Sequence, residues 1–206
     1  MSIKEHLSIL KKLSVADIIS LSAILPTVTG YYFILAGKPN QAIIAASFAF
    51  FLDTLDGYVA RKLKIESEFG RQLDSFVDAL NYLTFTSIFT LNFLSFNKAI
   101  TIVSVFIMIS AGILRLSRFN LAGLVKDNNE QYYIGLPVPF AQLSVIVLFI
   151  SSSLLFPEII YFTPLIIILT SFLMISNIKF KKPKNYWLWY ILTLFIICLA
   201  VINLNK

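Results

Sequence analysis

Long apolar runs separated by short polar connections make up most of the chain. They fall at about Val15 to Ala36, Gln41 to Lys62, Gly70 to Phe96, Ala99 to Leu121, Val138 to Phe156, Glu158 to Asn177 and Tyr186 to Asn203. An α-helix needs about 20 residues to cross a hydrocarbon layer about 30 Å thick, so the pattern predicts an all-α polytopic membrane bundle of seven spans. Gly37-Lys-Pro-Asn40 and Phe156-Pro157 predict tight turns between antiparallel helices, whereas residues 125–134 read as a longer polar loop ending in Gly135-Leu-Pro137-Val-Pro139. Ahead of the first run, Ile3, Leu7, Leu10 and Leu13 recur at helical spacing, with Lys4, Glu5, Lys11 and Lys12 around the rest of the turn. That pattern predicts an amphipathic helix over residues 1–14 lying on the membrane surface, with His6 solvated. No small-x-small cleavage pattern follows the first run, which is therefore read as a retained span.

Composition agrees with this reading. Of the 206 residues, 58% are hydrophobic, and the mean hydropathy of +0.82 lies outside the range of ordinary soluble domains. A net charge of +6 would suggest nucleic acid as the partner of a soluble protein, but here the basic residues sit in short loops between spans. All but Lys38, Lys98 and Lys206 of the 17 lysines and arginines fall on one side of the seven-span arrangement. By the positive-inside rule this places the N-terminus, and the loops after spans two, four and six, in the cytoplasm, with the protein in the cytoplasmic membrane and no nucleic-acid partner. Cys198 is the single cysteine, so no intrachain disulfide forms and packing is its expected role.

One stretch breaks the apolar pattern. Asp53, Asp56, Asp74 and Asp78 lie within twenty-six residues whose flanks are almost uncharged. A single Asp at the middle of a spanning helix costs about 2.5 to 3.5 kcal/mol on insertion scales, so four of them require a positive partner. Helical rise puts Asp53 and Asp56 roughly 14 and 9 Å from the end of span two, and Asp74 and Asp78 roughly 6 and 12 Å from the start of span three. The two pairs thus meet at one level. Asp53, Asp56, Gly57 and Ala60 follow i, i+3, i+4, i+7 on one helix, and Gly70, Asp74 and Asp78 follow i, i+4, i+8 on the next. Oxygen-only ligation with no His or Cys nearby suits two Mg²⁺ or Mn²⁺ ions. Gly57, Ala60 and Gly70 leave room for a ligand, and Arg61 adds a cation at the mouth suited to a phosphate, so the site looks built for a diphosphate. A buried ion network with Arg61, Lys62, Lys64 and Arg71, or the cation path of a transporter, would also use these carboxylates, but neither explains the small residues on the same faces.

Asp53-x2-Asp56-Gly57-x2-Ala60-Arg61-x8-Gly70-x3-Asp74-x3-Asp78 resembles, at every fixed position and in full spacing, the signature of the CDP-alcohol phosphotransferase family. The resemblance implies a six-helix core over residues 15–177, preceded by the surface helix of residues 1–14 and followed by a basic loop and added span over residues 178–206. It implies transfer of a substituted phosphate from a CDP-linked lipid donor to an alcohol, with release of CMP, in a protein that forms homodimers. By motif position, Asp53, Asp56, Asp74 and Asp78 would hold the two metal ions, with Asp78 also the general base. Asp56, Gly57, Ala60, Arg61, Gly70 and Asp74 would hold the cytidine diphosphate.

Two further stretches, Arg115-Leu-Ser-Arg118-Phe119-Asn120 and Gly135-Leu136-Pro137-Val-Pro139, resemble those of the family's serine-accepting branch, as does the run Met174-Ile-Ser176. They imply L-serine as acceptor, its carboxylate bound by Arg115 or Arg118, and CDP-diacylglycerol or its ether-linked archaeal equivalent as donor. With glycerol 3-phosphate or inositol phosphate as acceptor, the same arginines would bind a phosphate. The chain departs from that branch after Asp78, where Ala-Leu-Asn81-Tyr82-Leu replaces a small Ser-Phe-Gly step, and in the first span, where Asp17-Ile-Ile-Ser20 only partly follows Asp-x-x-Thr.

Overall fold

The computed structural model describes residues 13–127, 130–182 and 187–204, so the expected surface helix falls almost wholly outside the described residues. Helical rods occupy the seven apolar stretches. The first is made of α1 (Val15–Ser22) and α2 (Ile24–Leu35) in near continuity. It is started by a capping box, in which Asp17 N–H donates to Ser14 Oγ (3.2 Å) and Ser14 N–H to Asp17 Oδ2 (2.8 Å). Next comes α3 (Pro39–Leu63), whose proline at the first position supplies a preset φ and which ends at Lys64 in the left-handed region (φ 55°). The third rod is α4 (Glu68–Asp78), a π-helical segment (Ala79–Thr84) and α5 (Phe85–Phe93). Then follow α6 (Lys98–Ala122), α7 (Pro139–Leu154), a 3₁₀ turn (Pro157–Phe162) running into α8 (Thr163–Ile175), and α9 (Trp187–Leu204).

Four of these rods, Val15–Leu35, Pro39–Leu63, Lys98–Ala122 and Pro157–Ile175, are long and apolar enough to cross a membrane, and Pro139–Leu154 and Tyr190–Leu204 are shorter apolar helices. The third rod carries Arg71, Asp74 and Asp78 on its first helix. The chain is an integral membrane protein, and its exterior says so: Leu25, Phe106 and Phe172 are among many large apolar side chains left exposed. Inside, close helix approach replaces the hydrophobic drive that lipid removes. Ala42, Ala45, Ala46 and Ala49 are all buried on α3, against which α1, α2 and α9 pack. Tyr82, Phe85 and Phe89 are fully buried on the third rod, with Phe89 edge-on to Phe149 of α7 at 5.2 Å.

The loops contain a feature the hydropathy pattern does not predict. Residues 125–134, expected to be an irregular polar loop, form β1 (Val125–Asp127) and β2 (Glu130–Ile134). The basic connection after α8 contributes β3 (Lys179–Lys181), giving one antiparallel sheet in the order β1-β2-β3. Tyr132 pairs with Lys181 and Ile134 with Lys179. Gly135 ends β2 at φ 76°, its N–H donates to Ile178 O (2.9 Å), and a Cβ there would overlap the Met174 carbonyl. Only glycine fits both the conformation and the space, which is why Gly135 precedes the Pro137/Pro139 start of α7.

Candidate active site

The signature residues of α3 and α4 face one cavity of about 710 Å³, to whose lining the sheet adds Tyr133, Phe180 and Lys181, within the range of small-molecule sites. Oxygens of Asp53, Asp56 and Asp74 lie within 4.8 Å of one another. Asp78 sits at the last turn of α4, within electrostatic reach of Asp53. Two of the carboxylates are held by hydroxyls. Tyr82 donates its hydroxyl to Asp53 Oδ2 (2.7 Å), and Ser20 of α1 donates to Asp56 Oδ2. Asp53 Oδ1, by contrast, is buried with no hydrogen-bond partner. A cluster of hard oxygen donors around a buried, orphaned carboxylate oxygen fits a divalent cation such as Mg²⁺ or Mn²⁺.

The small residues make space for charged groups. A Cβ on Gly57 would press on the Arg61 guanidinium at 3.1 Å, and one on Gly70 would lie 2.7 Å from Asp17 Oδ1. Glycine at these points therefore lets Arg61 fold along α3 and lets Asp17 sit against the start of α4, where Ser67 Oγ accepts from Gly70 N–H (2.9 Å). Ala60 and Arg61 line the cavity beside them.

Asn81 and Tyr82, the departure after Asp78, turn out to be structural supports. Tyr82 continues the Gly70, Asp74, Asp78 series by four more residues. A regular helix advances about 40° beyond a full turn in each such step, so the fourth member of the series would drift off the face. The wider π turn over Ala79–Thr84 takes back part of that drift and brings the Tyr82 hydroxyl to Asp53. Asn81 Oδ1 accepts from Thr27 of α2, and its carbonyl accepts from Gln142 of α7 (2.9 Å), tying three rods together beneath the site. The repeat of four was the signal for Tyr82; nothing in the sequence announces the π turn.

The two arginines of α6 part company. Arg115 lines the cavity, is 4% exposed, and lies within electrostatic reach of Asp78 and Asp74. Arg118, expected as the alternative ligand for the acceptor, is not among the cavity residues. Its guanidinium donates to three carbonyls, Ile134 O (2.8 Å), Met174 O (2.9 Å) and Ile175 O (3.2 Å). It ties the end of β2 to the C-terminus of α8, whose carbonyl ends attract a cation. Of the two, Arg115 lines the cavity and Arg118 does not. Lys182 is a cavity residue the sequence did not single out: its N–H donates to Gln131 O (2.8 Å), extending the β2–β3 ladder to the mouth. Burial pushes its ammonium below the ordinary lysine pKa, and the nearby Arg61 charge pushes the same way, so an anion bound there would restore it.

The family CDP-alcohol phosphatidyltransferase matches residues 13–175, and the chain belongs to it. Among its relatives, the CDP-diacylglycerol--serine O-phosphatidyltransferase of Methanocaldococcus jannaschii is 32% identical over 199 residues, covering 96% of this chain and 88% of that protein. The Bacillus subtilis protein of the same name is 30% identical over 158 residues, 71% of this chain and 78% of its own length. The archaetidylserine synthase of Methanothermobacter thermautotrophicus is 31% identical over 159 residues, 75% and 65% respectively.

Proposed function

We propose that this protein transfers the phosphatidyl group of CDP-diacylglycerol, or the corresponding group of an ether-linked CDP-lipid, to the hydroxyl of L-serine and releases CMP. The observation that carries the reading is that the family signature and Arg115, a fixed cation suited to the carboxylate of a zwitterionic acceptor, face the same cavity. Relatives that match up to 96% of the chain carry serine in their names, which supports the same acceptor.

The residues divide the work. Asp53, Asp56, Asp74 and Asp78 would hold two Mg²⁺ or Mn²⁺ ions, which when bound neutralise the diphosphate and the charge that develops on it. Arg61, made room for by Gly57, lies along the donor's phosphates, with Ala60 and Gly70 leaving space for the nucleotide. Arg115 orients serine by its carboxylate. The serine oxygen bonds to the phosphorus bearing the lipid, the bond from that phosphorus to the CMP oxygen breaks, and the hydroxyl proton passes to the Asp78 carboxylate. The site would open to the cytoplasmic side of the inner membrane with the N-terminus on that side. The protein would work as a homodimer, and a crosslinking experiment in native membranes giving monomer alone would remove that part of the reading.

A panel experiment tests the reaction. The purified protein with CDP-diacylglycerol is given serine, glycerol 3-phosphate, inositol or inositol phosphate, and CMP is followed. Serine-dependent CMP release is expected. Turnover with glycerol 3-phosphate and not serine would replace the acceptor, and movement of a cation across sealed vesicles with no CMP formed from any acceptor would replace the reaction.

A further inference from the structure

We propose that Tyr133 is a positioning residue for the acceptor: with Phe119, its ring seats the Arg115 guanidinium so that the N–H edge faces the acceptor's carboxylate. The inference rests on reading Arg115 as the acceptor's cation. Arg115 Cζ lies 5.1 Å from the Phe119 ring centre and 5.7 Å from that of Tyr133, and the two rings are 6.0 Å apart and tilted by 42°. Phe119 stands one helical turn along α6, so it follows Arg115 wherever the helix goes. Tyr133 arrives from β2, and its contact is an independent choice of the fold.

The need for a seat comes from the neighbours. Arg115 is buried within electrostatic reach of Asp78 and Asp74, and its Nε is buried without a hydrogen-bond partner. A loose buried guanidinium beside two carboxylates swings onto them as a bidentate pair, because no other arrangement satisfies its charge as well. That pairing would take away the acceptor's cation, the Asp78 lone pair that receives the proton, and the Asp74 oxygens at once. Ring faces hold a cation through their quadrupole and use none of its N–H donors, so an aromatic seat fixes Arg115 and leaves its edge available.

Arg118 completes the device. Its bonds to Ile134, Met174 and Ile175 carbonyls anchor the strand directly beside Tyr133, and the glycine at 135 lets that strand lie against α8. Two arginines one turn apart on α6 thus serve one site. One faces the cavity, and the other holds the strand whose ring keeps the first in place.

The test compares Tyr133→Leu and Tyr133→Phe in the full-length protein with CDP-diacylglycerol, measuring KM for serine, KM for the donor and Tm. The leucine variant is expected to raise the serine KM about thirtyfold, the size of a desolvated cation–π contact, with the donor KM within about twofold of wild type. The phenylalanine variant keeps the ring and is expected to keep the wild-type serine KM. Tyr133→Met, of similar volume without a ring, serves if the leucine variant does not fold. An unchanged serine KM in the ring-less variants, equal shifts in both KM values, or a phenylalanine variant as impaired as leucine would each overturn the proposal. Wild-type protein that releases no CMP with serine would instead overturn the functional reading beneath it.

Discussion

Asp78→Asn is expected to lower serine-dependent CMP release by about a thousandfold, the usual share of a positioned general base, while the variant still binds CMP and Mn²⁺. Asparagine retains one carbonyl oxygen that can act as a ligand, but it cannot accept the hydroxyl proton. Asp53→Ala is expected to lose both turnover and Mn²⁺ binding. It removes the buried Oδ1 that has no other partner and strands the Tyr82 hydroxyl that now donates to Oδ2. Mn²⁺ binding read by paramagnetic resonance separates the two variants without reference to activity. EDTA should abolish turnover in the wild type, with recovery on adding Mg²⁺ or Mn²⁺. Near-normal turnover in Asp78→Asn would remove the base, and full activity in metal-free buffer would remove the centre that the carboxylates form.

Much of this arrangement was legible because membrane spans and helical faces have strong, local periodicities. The apolar runs mark the seven rods, and the i, i+3, i+4 and i, i+4, i+8 spacings point Asp53, Asp56, Asp74 and Asp78 to the cavity they share. The sheet was not legible. Its strands have three to five residues, too few for a period of two to stand out, and β3 finds its partner some forty-five residues away through packing alone. The π turn was hidden for a similar reason, since Ala-Leu-Asn-Tyr-Leu-Thr contains no breaker and its extra width is imposed by neighbours on α2, α3 and α7. Arg115 and Arg118 show the limit most clearly. A spacing of three on a helix leaves two identical side chains about 60° apart, and which of them faces the cavity depends on what packs against α6. The carbonyls at the end of α8 claim Arg118, and those carbonyls belong to residues nearly sixty positions away.

Arg115→Gln is expected to raise the KM for serine about a hundredfold and to leave CMP affinity within about twofold of wild type. Removing one partner of a buried charge pair costs about 2 to 5 kcal/mol, and the lower part of that range corresponds to a hundredfold. The lower part applies here because metal ions at the neighbouring carboxylates would supply some of the lost positive potential. Arg115→Lys is expected to fall between, since an ammonium keeps the charge but gives up the planar fork, and it is less well held by the Phe119 and Tyr133 faces. With Arg61 read as the cation of the donor's phosphates, donor binding is expected to be nearly indifferent to either change. The split between acceptor and donor is therefore the diagnostic quantity. A donor KM that rises with the serine KM unchanged would assign Arg115 to the donor's phosphate. In that case the carboxylate of the acceptor would have to be held elsewhere in the cavity, with Lys182 the next cation to test.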